Sequence, residues 1–151
     1  MASRISNANL VVTFSEKLIL NGRDHGSTQK ITIAGVNEVS KRILTCATTP
    51  GTQIYRGAAA AAFGTFVTEN VKYIRITNLD DTYPVVLYFS NGVDHSMQHV
   101  LAAGQIFMIT DTSASFDTAT TAADFSGEDI TRIDAMGVGG DVDIELLVAS
   151  A

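Results

Sequence analysis

Short runs in which apolar and polar side chains alternate are the feature that most constrains this chain of 151 residues. Alternation with a period of two indicates β-strands, and it usually marks strands with one buried face. The last run, VDIELLV, predicts a buried side formed by Val142, Ile144, Leu146 and Val148. The runs that fit a strand are residues 9–14, 17–20, 30–35, 38–46, 52–57, 71–77, 85–89, 104–110, 129–136 and 142–148.

Turn-forming residues separate these runs at intervals of about 8–12 residues, a spacing typical of all-β sandwiches and barrels. Asn21-Gly22 and Pro50-Gly51 are two such breaks. We therefore predict an all-β fold, an antiparallel β-sandwich with about nine or ten short strands and a jelly-roll-like arrangement, in one domain over residues 1–151. Residues 1–8 are predicted to form an extended N-terminal arm, with a frayed terminus as the alternative.

The stretch YIRITNLDDTYPVVLYF, residues 73–89, predicts a β-hairpin within this sandwich. Val85, Leu87 and Phe89 share one face of its second strand. Between the strands, Asn and Asp side chains can bond their own backbone and a proline fixes φ, which predicts a loop of about five to seven residues. The opposite face of the hairpin is partly apolar, so a second layer is expected to cover it.

The segment GAAAAAFGTF, residues 57–66, is the exception to the strand pattern. Five consecutive alanines favour a helix, but the run is too short to be stable alone and glycine lies at both ends. Two conformations stay open for this segment: a single helical turn, or an extended segment packed where only methyl groups fit. A close-contact surface between subunits is the functional alternative, and local packing is preferred to it.

Composition excludes some classes of protein and partner. A hydrophobic content of 46% with 17% charged residues is too apolar for a disordered chain. So little charge also indicates that a partner covers part of the surface. The formal net charge of −6 argues against nucleic acid as a partner. No membrane association is expected either, because no apolar run approaches the ~20 residues that span a bilayer and the N-terminus lacks a signal-peptide pattern.

Cys46 is the only cysteine, so no intramolecular disulfide can form. This fits synthesis in a reducing cytosol. The surrounding sequence, ILTCATT, predicts a small hydrophobe within a strand rather than a nucleophile.

The strongest candidate for chemistry is NGVDHSMQH, which brings Asp94, His95 and His99 together in a predicted loop. Two histidines at positions i and i+4 can bind a metal on a helix, but no helix is indicated here. Asp24 and His25 could complete a ligand set only if folding brought them close. We therefore predict polar loop residues at these positions, with no metal site, no cofactor and no catalytic residue.

Three further patterns are better explained by structure than by chemistry. Residues 27–30 match S-x-x-K but lack the helix that carries this motif in enzymes. The glycines of 137–140 join two predicted strands, so they indicate a hairpin turn rather than a phosphate-binding loop. The acidic pairs Asp80-Asp81 and Asp141-Asp143 lack the spaced series of a calcium loop and are expected to be solvated turn carboxylates.

Three segments carry a resemblance to a known family: VKYIRITNLDDTYPVVLYF, LAAGQIFMITD and VDIELLVASA. Over residues 70–151 the order of these elements resembles that of small β-sandwich structural proteins of tailed-bacteriophage virions, while the N-terminal half is similar only in general character. The resemblance implies a non-enzymatic capsid decoration, or cement, protein that binds the major capsid protein or other virion proteins. It also implies a homo-oligomer, with a trimer favoured, and a location on the virion after assembly in the bacterial cytoplasm.

Other functions remain open at this point. A tail, fibre or head–tail connector component is the nearest alternative, although the chain shows no repeat or heptad region of a fibre shaft. A carbohydrate- or receptor-binding module would require a concave patch, for example from Tyr83, Asp94, His95 and His99. The chain has no Trp for sugar stacking, although tyrosines remain: Tyr55, Tyr73, Tyr83 and Tyr88. A hydrolase or cupin-like metal enzyme would need three or four clustered ligands that the spacing does not show.

Overall fold

The computed structural model of the protein describes residues 6–93, 95–110 and 129–151. Within them every regular element is a strand except one 3₁₀ turn, Thr68–Asn70. The strands are β1 (Ala8–Ser15), β2 (Ile19–Leu20), β3 (Arg23–Asp24), β4 (Thr28–Val36), β5 (Glu38–Cys46), β6 (Thr52–Ala58), β7 (Phe66–Val67), β8 (Val71–Asn78), β9 (Val85–Ser90), β10 (Ser96–Leu101), β11 (Ile106–Ile109), β12 (Arg132–Gly137) and β13 (Val142–Ser150). Of the predicted arm at residues 1–8, residues 1–5 lie outside the described ranges, and β1 begins at Ala8.

Two large sheets form a sandwich, which confirms the predicted fold class. One sheet has the order β10-β9-β12-β6-β7 and the other has the order β11-β8-β13-β5. All neighbours are antiparallel except β6 and β7. The described residues form thirteen strands against the predicted nine or ten, and β2, β3 and β7 have only two residues each. No described residue belongs to a helix long and apolar enough to cross a membrane.

The main core lies between these sheets and uses the faces that the alternation predicted. Its buried side chains from β9 and β13 are Val85, Leu87, Phe89, Val142, Ile144, Leu146 and Val148. Phe107 from β11 joins the two sheets, with its ring centroid 5.0 Å from that of Phe89. Burying this apolar surface is the main favourable contribution to folding.

The chain changes sheet at most of its connections, and this overturns the predicted hairpin of residues 73–89. β8 pairs with β11 and β13, whereas β9 pairs with β10 and β12 in the opposite sheet. Residues 79–84 therefore form a crossing between the sheets. The glycines of 137–140 also connect strands of different sheets, β12 and β13, so the predicted hairpin turn there is wrong as well.

A buried asparagine holds the first of these crossings. The Asn78 side chain is almost fully buried, and its Nδ2 donates to the carbonyl oxygens of Tyr83, Leu101 and Ala102 at 3.0, 3.3 and 3.2 Å. Its Oδ1 accepts a hydrogen bond from the Asp80 amide at 3.0 Å. These bonds satisfy backbone carbonyls at a corner where no ladder is available, because the chain is leaving its sheet.

Close backbone approach explains the glycines at the second crossing. A Cβ atom at Gly137 would lie 2.2 Å from the carbonyl oxygen of Gly140. The Tyr83 ring covers Gly139 and Gly140 so closely that a Cβ there would lie 2.9 or 2.6 Å from ring atoms. The two crossings therefore pack against each other at one end of the sandwich.

Residues 8–36 form a long antiparallel strand pair outside the sandwich. We call residues 8–36 the ribbon. β1 pairs with β4, and the short pair β2–β3 closes the ribbon at a turn formed by Asn21 and Gly22, whose φ angles are +50° and +77°. That turn was predicted from the sequence. The base of the ribbon packs on the outer face of the β8–β13 sheet, in a small second core of Leu10, Val12, Ile33, Val36, Tyr73, Met108, Leu147 and Ala149. The ribbon therefore covers the outer face of β8, as predicted, whereas Val86 and Tyr88 on the outer face of β9 line an open depression, so the predicted second layer is absent there among the described residues.

The sequence left the alanine run open between a helical turn and a packed extended segment. In the structure β6 ends at Ala58, and an exposed turn follows in which the Thr65 amide donates to the Ala62 carbonyl at 3.1 Å. Phe63 at the tip of this turn is fully exposed. The predicted loop at residues 91–99 needs correction from residue 96 onwards, because Ser96–Leu101 form β10, in which Met97 packs inward while Gln98 is exposed.

Candidate functional site

Among the described residues, the histidines that the sequence singled out are not grouped with further metal-ligand side chains. His99 packs on Phe107, with ring centroids 4.9 Å apart, whereas His95 Nδ1 lies 3.3 Å from the Asn91 side-chain amide. Asp94 lies outside the described residues. Asp24 accepts a hydrogen bond from the Gly26 amide within the ribbon. Within residues 6–93, 95–110 and 129–151, no three His, Cys, Asp or Glu side chains are grouped as metal ligands would be.

The predicted sugar-binding patch is not assembled either. Tyr83 precedes the first residue of β9, whereas His95 follows its last residue by way of the β9–β10 loop. In the β9–β10 pair, Leu101 lies opposite Val85 and Ser96 lies opposite Ser90. Six residues of extended strand place these two ends roughly 17–20 Å apart. A single pyranose ring could not contact both.

The S-x-x-K pattern lies on the ribbon. The Ser27 hydroxyl donates to Glu16 Oε2 at 3.0 Å, and Lys30 pairs across the ribbon with Thr13. Ser27 lies just before β4 and Lys30 lies within it, so the pattern is not carried on the helix that the motif requires.

The acidic pairs bond neutral groups of the protein. Asp80 Oδ1 accepts from the amides of Thr82 and Tyr83, both at 2.7 Å, and the Tyr83 and Thr82 amides lower the pKa of this carboxyl. Asp141 accepts from the Thr48 amide at 3.1 Å. These carboxylates order the loops in the way that turn aspartates commonly do.

Two buried groups that could be reactive are held in their neutral forms. Cys46 is fully buried in the main core, as predicted, and burial followed by the charge of Asp143 raises its pKa to about 11. Tyr55 is also buried, and its pKa is raised to about 12, mainly by burial. A thiol with this pKa is a poor nucleophile at neutral pH because almost none is ionised.

The outer face of the β10-β9-β12-β6 sheet carries a row of polar side chains around one tyrosine. The strand registers align Gln98, Tyr88, Asp134 and Gln53 across four neighbouring strands. Arg132 binds Asp134 through two hydrogen bonds, at 2.6 and 3.1 Å. An open depression of about 450 Å³ lies over this row. An aromatic face beside amide and charged groups can both stack on a ligand and bond it.

The distal half of the ribbon is the least buried part of the described structure that still has regular strands. Leu18, Ile19 and Leu20 are 55%, 61% and 57% exposed. Lys17 and Arg23 flank them and form no ion pair among the described residues. A two-stranded hairpin is marginally stable in water by itself. Exposed apolar side chains at its tip are typical of a surface that contacts a partner.

The end of the sandwich where the two crossings pack is acidic, opposite in charge to Lys17 and Arg23 of the ribbon. Its loops, residues 47–51, 79–84, 102–105 and 138–141, contain no Lys, Arg or His. Three apolar side chains in these loops are also exposed: Leu79 at 47%, Tyr83 at 40% and Val138 at 43%. We call these four loops the end loops.

Sequence reasoning placed β1, β2 and β4 of the ribbon but missed β3 and the exposure of the tip. The signal was present in the run LIL before Asn21-Gly22, where three consecutive apolar residues break the alternation expected of a half-buried strand. The end loops gave no such signal, because folding brings together segments up to about ninety residues apart.

Comparison with known proteins found no matching family model, no matching curated protein and no matching solved structure.

Proposed function

We propose that this protein is a non-enzymatic structural subunit of a bacteriophage virion, and specifically a capsid decoration protein on the outer face of the head. The observation that carries the proposal is the ribbon, whose distal half exposes apolar side chains that a lone protein would bury. A non-enzymatic role is also supported by Cys46 and Tyr55, because their raised pKa values keep both groups neutral.

The strand order supports a jelly-roll sandwich, the finer class proposed here. Eight strands, β5, β6 and β8 to β13, make up the two large sheets apart from the short β7. Numbered one to eight along the chain, they give the orders 1-8-3-6 and 2-7-4-5. Such interleaving of two Greek keys is the pattern of jelly rolls, a fold used by viral capsid proteins among others. Fold alone does not determine function, so this support is by analogy.

Decoration is preferred to a tail or fibre component because the chain has no repeat or heptad region. This argument does not apply to a connector or tail-ring subunit, which stays the alternative. The partners proposed are further copies of the chain, as a trimer on the resemblance, and the major capsid protein. Assembly would take place in the bacterial cytoplasm, where a chain with one buried cysteine needs no disulfide.

Cryo-electron microscopy of particles with and without the protein tests this proposal. We expect density for the sandwich at symmetric positions on the head, and its loss from particles that lack the gene. Density confined to the tail would reject the decoration role and favour a tail, fibre or connector component. Intact particles that never contain the protein would reject a structural role altogether.

The row around Tyr88 favours a second candidate, a carbohydrate- or receptor-binding module. Here the aromatic ring, two amides and the Arg132–Asp134 pair lie on one open sheet face. Sugar rings bind such faces by stacking and by hydrogen bonds to planar polar groups. This residue set differs from the patch predicted from the sequence.

Replacing Tyr88 with Ala tests the second candidate. If the sheet face binds glycans, we expect affinity for the best ligand on a glycan array to fall at least about tenfold, or roughly 1.4 kcal/mol. Ile43→Ala, at an exposed position on the opposite sheet, should leave binding unchanged. Absence of any glycan binding by the native protein at physiological salt would exclude this candidate.

A further inference from the structure

We propose that the tip of the ribbon, residues 17–23, docks on the end loops of a second copy of the chain. The tip supplies an apolar centre, Leu18, Ile19 and Leu20, between Lys17 and Arg23. This inference concerns self-association in solution and does not depend on the virion role.

Charge distribution identifies the occupant as another copy. Residues 8–36 hold three Lys or Arg against two Asp or Glu, whereas residues 37–151 hold six against fourteen. Residues 8–36 therefore carry a cationic excess of one charge beside a strongly acidic remainder. Opposite potentials of this kind attract two copies and orient ribbon towards sandwich.

The end loops match the tip in chemistry. Their exposed apolar side chains, Leu79, Tyr83 and Val138, provide an apolar contact area, and Asp81 and Asp141 are exposed beside them. These two carboxylates bond only the Thr82 hydroxyl and the Thr48 amide, so neither has a cationic partner among the described residues. The loops are also ordered in advance by the Asn78 bonds, which lowers the entropy lost on docking.

The ribbon has the length to reach a neighbour. From Thr13 to Gly22 the chain continues for ten residues beyond Val12, the last β1 residue packed in the second core. At about 3.4 Å per residue this gives a reach of roughly 30 Å. In this segment the hydrogen bonds of Ser15, Glu16 and Leu18 to described residues stay within the ribbon. Head-to-tail docking of this kind closes into a ring when the rotation between copies allows it.

Charge exchange between the two surfaces tests the proposal by sedimentation velocity at low salt. The ribbon variant Lys17→Glu with Arg23→Glu, and the end-loop variant Asp81→Lys with Asp141→Lys, should each weaken self-association at least about tenfold. The variant that combines all four substitutions should regain it, because each interface again joins opposite charges. Raising the salt concentration should weaken the native oligomer as well.

Further variants separate docking from folding. Ile19→Ser with Leu20→Ser should also favour the monomer, with the thermal midpoint of the sandwich unchanged, because both side chains are exposed. Glu69→Lys, at the opposite end of the sandwich, is the control and should not alter association. A native protein that is monomeric at high concentration, or an oligomer that no exchange affects, would overturn the proposal. The docking proposal is tested by sedimentation of the purified protein, whereas the virion role is tested by electron microscopy of particles. Failure of one proposal can therefore be distinguished from failure of the other.

Discussion

Replacing Asn78 with Asp is expected to destabilise the protein by about 3–5 kcal/mol, although the two side chains have nearly the same shape. The amide nitrogen of Asn78 donates to three carbonyl oxygens, and the side chain is 1% exposed. A carboxylate would place a buried negative charge against those three acceptors and would remove their donor. Urea unfolding at pH 7 measures the loss.

The pH dependence of this variant identifies the cause. Burial and the facing carbonyls disfavour the ionised form, so the introduced carboxyl has a folded pKa above its unfolded value of about 3.9. The variant should therefore recover stability relative to native protein as pH falls through that folded pKa. Asn37→Asp, at an exposed position, should change stability by less than about 0.5 kcal/mol. A loss at position 78 that is equally small would show that the crossing does not depend on this side chain.

Replacing Gly137 with Ala should lower stability by about 3 kcal/mol or more, a thermal shift of roughly 6–12 °C for a chain of this size. The new Cβ would lie 2.2 Å from the Gly140 carbonyl oxygen and 3.1 Å from that of Cys46. Both contacts are backbone atoms, so the chain between β12 and β13 would have to move. Differential scanning calorimetry measures the effect.

Gly104→Ala is the matched comparison for this substitution. Gly104 has a φ of +70°, but no atom lies within 4 Å of the position a Cβ would take. Its replacement should cost only the conformational penalty of about 1–2 kcal/mol. Equal losses at the two glycines would contradict a steric role for Gly137.

The buried faces of the strands could be read from the sequence because a period of two is a local property. The apolar sets of β9 and β13 lie in the core as predicted, since each strand has one face between the sheets. β10 was missed for a local reason too: its residues 96–99, Ser-Met-Gln-His, have little β-propensity. Packing of Met97 and His99 inside the sandwich overrides that preference.

Which strands pair could not be read from the sequence, because pairing depends on contacts far apart along the chain. Residues 79–84 have the composition of a hairpin loop, with Asp, Thr and Pro between two strands. The carbonyls that Asn78 bonds at Leu101 and Ala102 come from a later segment and turn this loop into a crossing. The candidate docking surfaces depend on the same non-local arrangement, so composition alone did not reveal them.

The position of the last two strands has a consequence for biosynthesis. β12 and β13 are interior strands of their sheets, and β5 pairs with no other strand than β13 among the described residues. A nascent chain on the ribosome can therefore form only isolated strand pairs until residues 132–150 emerge from the exit tunnel. Assembly of the two large sheets is therefore expected to wait for these residues, and the contact order of such a topology makes that step slow.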